Sequence, residues 1–183
     1  MPTVANVTVG KPKVAGAIWR APLGTTLPTD ADSALDAAFK DLGFVSQDGV
    51  SNGSNLDTSV VKAWGGKAVL LINNGKEDTF VFTLIETINF EAKKAVYGTA
   101  NVTGDLDSGM TTKVNSDDPE EACWVIEVRQ RGGVLHRIVI PDAQLSDLGD
   151  IVYKDDEVVG YEMTITALED SAGQTHYEYD KKA

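Results

Sequence analysis

The 183-residue sequence predicts a mainly β domain with one strong α-helix packed on its sheet. Three observations carry that prediction. Thr79–Ile85 is an unbroken run of β-branched, aromatic and Leu residues, which suits a pleated, half-buried surface. From Asn89 the period changes: Phe90, Lys93, Lys94 and Tyr97 fall at helical spacing and Gly98 is placed to cap the helix. Farther on, Cys123–Arg131 and Val134–Ile140 flank Gly132-Gly133, a clear hairpin signal. A β-rich domain with one strong helix buries that helix on a sheet. Phe80, Phe82 and Leu84 are accordingly expected on the core face of the strand, with Phe90 and Tyr97 seating the helix. The charged residues Lys76-Glu77-Asp78 read as the turn that opens this stretch.

Taken in order, residues 4–14 read as an extended arm or an edge strand, because Pro12 cannot donate to a central ladder. The arm is placed at 1–14. Gly16–Ala21 reads as a strand stopped by Pro22. Asp30–Gly43 is a short helix candidate, with Asp32 or Ser33 as cap and Leu35, Ala38, Phe39 and Leu42 on its apolar face. Such a helix is marginal without a sheet beneath it. Phe44–Val50 is strand-like, and Gln47–Asp57 is a polar, turn-prone stretch expected to form a long loop. Gly65-Gly66 separates two apolar runs, Val60–Trp64 and Ala68–Ile72, as a tight turn or bulge would. Thr99–Glu121 is polar. In Tyr161–Ala167 the apolar residues Tyr161, Met163, Ile165 and Ala167 alternate with Glu162, Thr164 and Thr166, giving one buried face and one that is wet or meets a partner. Gln174–Tyr179 is the last strand. The length fits one domain, 1–183.

The net charge is −12 and unevenly spread. Residues 101–122 hold six acids against Lys113, and 141–183 hold eleven acids against three lysines. This balance disfavours gripping a phosphate backbone, which needs clustered Lys and Arg. Cys123 stands alone, so no intrachain disulfide framework is expected. The N-terminus has no basic and apolar run of a signal peptide, and no apolar stretch approaches the ~20 residues that span a bilayer.

Catalytic and metal patterns are missing. His136 and His176 have no Cys, His or Glu at ligand spacing, and Cys123 lies between Ala122 and Trp124 as a core thiol. There is no nucleophile elbow, phosphate loop or dinucleotide fingerprint. Asp105–Gly109 lacks the spacing of a calcium loop, and the carboxylates sit in turns and not in apolar pockets. No catalytic, cofactor-binding or metal-binding residue is therefore assigned. The residues alone leave open a β-sandwich module that binds a carbohydrate or protein, with Trp19, Trp64 and Tyr177 as its platform.

Four stretches, NVTVGKPKVAGAIWRAPLGTTLPTDA, FKDLGFVSQDGVSNGSN, VKAWGGKAVL and DTFVFTLIETINFEAKKAVYGTANVTG, occur in an order and spacing that resembles the major tail protein, or tail tube subunit, of long-tailed, non-contractile bacteriophages. The resemblance is close over roughly the first hundred residues and looser beyond. It implies a β-sandwich with a flanking helix and a non-enzymatic, structural role without cofactors. It implies homo-hexameric rings whose inner strands close into a shared β-barrel. The rings would stack around a tape measure protein, join tail tip and tail terminator proteins, and let DNA pass at ejection without specific binding. The subunit would be assembled in the host bacterial cytoplasm and reside in the virion tail, with no membrane association. The extra C-terminal immunoglobulin-like domain of some members is not expected here. On this reading the stretch 47–63 is an inter-ring loop, with Gln47, Asp48, Asn52, Asn55, Asp57 and Lys62 as contact candidates, and the arm is a second contact. Glu86 and Glu162 are candidates to face the channel, where carboxylates would repel DNA.

Overall fold

The computed structural model describes residues 3–13 and 16–183, so Met1, Pro2 and Val14 of the expected arm lie outside the described residues. The chain is mainly β. Its strands are β1 (Gly10–Pro12), β2 (Ile18–Pro22), β3 (Lys40–Asp41), β4 (Val45–Lys62), β5 (Ala68–Leu84), β6 (Val102–Asp105), β7 (Gly109–Thr112), β8 (Ala122–Gln130), β9 (Val134–Leu148), β10 (Tyr161–Ala167) and β11 (Tyr177–Lys182). Among the described residues there is one α-helix, α1 (Phe90–Tyr97). The main sheet runs β3-β2-β8-β9-β10-β5-β4, with β1 added to β8 and β11 to β9, while β6 and β7 form a separate hairpin.

The sheet has apolar residues on both faces, which gives the sandwich-like layering. Strand β8 shows it most clearly, because Ala122–Glu127 is buried throughout. Trp124 and Ile126 face the larger core with Phe80, Phe82, Leu84, Ile140, Met163 and Ile165. Cys123 and Val125 face a smaller one with Ala21, Phe39 and Val139. Continuous burial of this kind marks a strand covered on both sides. The Gly132-Gly133 hairpin signal corresponds to the β8–β9 turn, where both glycines take positive φ.

Helix α1 begins at Asn89, whose side-chain oxygen accepts from the amides of Glu91 (2.9 Å) and Ala92 (3.4 Å). It ends at Gly98, whose N–H donates to the Lys94 carbonyl. The helix buries Ala92, Ala95 and Val96 against the larger core. Tyr97 is half-buried and packs edge-on to Tyr161 at 6.0 Å. Phe90 is half-buried outside both cores, with the Lys94 ammonium 4.1 Å from its ring centroid. The residues that α1 buries in the core are thus small ones.

Three expectations are corrected. Residues 30–43 form no α-helix. Asp30 accepts from the amides of Asp32 and Ser33, and Asp36 from that of Ala38, so side chains take the bonds a first helical turn would use. Leu35, Ala38 and Phe39 nevertheless pack on the smaller core. Gln47–Asp57 is not a loop; it lies within β4, where Val50–Asp57 pair in turn with β5 and Gln47–Gly49 belong to an irregularity between the pairs of Val45 and Val50. Lys76-Glu77-Asp78 is not a turn but the middle of β5, facing Leu56, Asn55 and Ser54.

Candidate assembly surface

Strands β4 and β5 are far longer than the body of the protein needs. Near the body, β5 alternates: Phe80, Phe82 and Leu84 are buried, and Thr79, Val81 and Thr83 are half-exposed. Beyond Asp78 the alternation ends, and residues 54–62 of β4 and 68–77 of β5 are all exposed. At ~3.3 Å per residue the free part of the ribbon is roughly 25 Å long. Its turn, Ala63–Lys67, is closed by bonds from Ala63 N–H to Lys67 O and from Gly66 N–H to Ala63 O. Gly65 and Gly66 take φ of +97° and +86°, which only glycine adopts without strain.

The ribbon is apolar on both faces. Opposed residues share a face, so Val60 and Leu71 lie on one side and Val61 and Leu70, with Ile72 beyond, on the other. These five side chains are 41–63% exposed, and Trp64 at the turn is fully so. The outer edges of β4, and of β5 beyond Asp78, carry no partner strand among the described residues. An exposed, two-sided apolar ribbon with free edges invites pairing with other chains.

The ribbon is anchored where it leaves the body. Asp78 is fully buried, and its Oδ2 accepts from Lys76 (2.9 Å) and from the Thr175 hydroxyl, with His176 Nδ1 at 3.4 Å. Burial alone would raise the Asp78 pKa. Hydrogen bonds from Thr175, Lys76 and Ser54 outweigh that and hold it at about 2. Phe80 packs edge-on to the His176 ring at 5.4 Å. The segment before β11 is thus bonded to the base of the ribbon.

On the body, the face of β5 and β10 away from the core carries Thr79, Val81 and Thr83 opposite Thr166, Thr164 and Glu162. Gln144 and Asp147 of β9 continue it. It is polar, and its acids Glu162 and Asp147 form no ion pair among the described residues.

The expected site residues are spread out. Gln47 and Asp48 are exposed close to the body, Asn52 donates to the Thr79 carbonyl, and Asn55, Asp57 and Lys62 are exposed farther along. From Gln47 to Lys62 the strand covers roughly 50 Å, so the six do not form one cluster. Glu86 lies beyond the end of β5, where strand alternation no longer applies; its carboxylate accepts from Phe44 N–H (2.9 Å) and from the Asn89 amide (3.1 Å). Trp19, Trp64 and Tyr177 are not a platform: Trp19 and Tyr177 pack on the smaller core and Trp64 is at the ribbon tip. Asp105 accepts from the Ser108 amide and hydroxyl and thereby closes the β6–β7 turn. The apolar ribbon itself is what residue-level reading missed. Its signal was the Gly-Gly turn between two apolar runs, which are indistinguishable in sequence from core strands.

An apolar ribbon held out from a small β domain defines a protein with surface of the kind that association buries. The chain belongs to the phage tail tube protein family: the family model described as "Phage tail tube protein" matches residues 11–182. It is thus a structural component of a virion tail, of a family that assembles into a tube. A search of curated proteins gave no match. No helix among the described residues is long and apolar enough to cross a membrane.

Proposed function

We propose that six copies of this chain form a ring, that β4 and β5 of neighbouring copies join into a β-barrel around a central channel, and that the free ribbon crosses to the next ring of the stack. The observation that carries this reading is the ribbon itself, exposed, apolar on both faces and unpaired at both edges. Closing strands of several copies into one barrel removes those edges. A ribbon lying between two rings covers both of its faces.

The rings enclose a tape measure protein during assembly in the host bacterial cytoplasm, meet tail tip and tail terminator proteins at the two ends, and pass DNA at ejection. The polar face bearing Glu162 and Asp147 lines the channel, where unpaired carboxylates repel phosphate and leave no counterion-release gain to hold the DNA. The arm at 1–14 and residues Asn55, Asp57 and Lys62 contribute to contacts between rings.

The test is to shorten the ribbon symmetrically, joining Asn55 to Glu77 through an Asn-Gly turn. These residues are cross-strand partners, so the cut preserves register. Removing 47–57 alone would instead strip the partner strand from Phe80 and Phe82. The shortened chain is expected to fold and to form no tubes by negative-stain electron microscopy. Full-length tubes from it would contradict the assignment.

A further inference from the structure

The distal ribbon is chemically unlike the rest of the chain. Residues 58–76 contain three lysines and no acid, in a protein of net charge −12. Its tip places the fully exposed Trp64 between Lys62 and Lys67. Neither lysine has an ion-pair partner among the described residues. The bonds across the Ala63–Lys67 turn hold this tip in one shape.

A cleft of about 440 Å³ with the opposite character opens at the C-terminal end of α1. Val96, Leu148 and Val114 supply its apolar surface, and Val114 is 75% exposed. Asp117, Asp118 and Glu120 supply its acids, against Arg20 as the one cation of its lining. Glu120 is engaged by Arg20 (2.8 Å) and by Thr99, and Asp117 accepts from the Asn115 amide. Asp118 has no hydrogen bond or ion pair among the described residues. The carbonyl end of the helix adds to the preference for a cation.

We propose that the Lys62–Trp64–Lys67 tip of one copy seats in this acidic cleft of a second copy, with the indole on the apolar floor and the two ammonium groups at Asp117 and Asp118. The assignment rests on the reading of the chain as a polymerising subunit, and it names the surface its ribbon meets. A tip on one part of a molecule and a complementary cleft on another give a head-to-tail contact, and such contacts propagate into rings or open filaments. An aromatic anchor with flanking charges also has the make-up of an interface hot spot.

A charge swap tests the contact. Lys62→Glu with Lys67→Glu, and separately Asp117→Lys with Asp118→Lys, are each expected to raise the critical concentration for polymerisation roughly tenfold or more, with thermal unfolding unchanged. All four substitutions in one chain are expected to restore it to within a few-fold of the original. In the otherwise unaltered chain, Trp64→Cys with Val114→Cys is expected to give disulfide-linked ladders on oxidation, and each single variant none. If the original chain polymerises and the tip variant does so equally well, the docking site is wrong and the tube reading stands. A quadruple variant no better than its parents, or paired cysteines that never cross-link within tubes, equally overturns the site. If the original chain never polymerises, the tube reading falls with it.

Discussion

Two buried charged groups hold the fold together from positions far apart in sequence. Arg137 is 1% exposed and donates to the Glu127 carboxylate from Nε (3.1 Å) and Nη2 (2.5 Å), and to the main-chain carbonyls of Asp30 and Ser33 at 2.9 Å each. Lys13 completes the set at 2.8 Å from Glu127. Removing one partner strands a buried charge, so Arg137→Ala is expected to cost roughly 3–5 kcal/mol in chemical denaturation and to expose residues 30–36 to proteases. Asp78 is the second group. Its folded pKa of about 2 lies below the ordinary carboxylate value, so its contribution is complete above about pH 4 and is lost as pH falls toward 2. Asp78→Asn is expected to lower stability near neutral pH by roughly 2 kcal/mol and to flatten the acid limb of a stability–pH curve over that window. Neither group was legible from residue order. Arg137 meets Asp30 and Ser33 across more than a hundred residues, and Asp78 meets Thr175 across 97.

At the scale of elements, legibility followed locality. Helix α1 was readable because its cap residues, Asn89 and Gly98, are its sequence neighbours. Asn89→Ala is expected to cost about 1 kcal/mol, measured as a drop in unfolding free energy, because two amides of the first turn lose their acceptor. The β8–β9 hairpin was readable for the same reason, through Gly132-Gly133. Residues 30–43 carry a plausible helical face, yet Arg137 takes the carbonyls of Asp30 and Ser33 from outside. Strand β4 is the strongest case. Its stretch Gln47–Asp57 is rich in Gly, Ser and Asn, and only its pairing with β5 makes it a strand. The candidate surface was hidden by the same ambiguity. Val60, Leu70 and Leu71 have the composition of a core, and no local pattern distinguishes a core in one chain from a core completed by several.

At the scale of the whole molecule, the charge has a direction. In the proposed assembly, the acidic body and the basic, apolar ribbon would favour contact between unlike ends of neighbouring copies, and the unpaired carboxylates of the β5–β10–β9 face would keep a channel from holding DNA. Glu162→Lys with Asp147→Lys is therefore expected to slow DNA passage through otherwise intact tails, and less so at high salt, as a screened interaction requires. The mainly β class, helix α1 and the family were legible in the sequence; the ribbon's free faces were not, because exposure is a property of the assembled strands. The most direct test of the central claim is cryo-electron microscopy of the polymerised chain. The account predicts stacked six-membered rings, with β4 and β5 of adjacent copies hydrogen-bonded into a continuous barrel around the channel and residues 58–72 buried between rings. A polymer in which the ribbons remain exposed on the outer surface, with the channel lined by other strands, would contradict it.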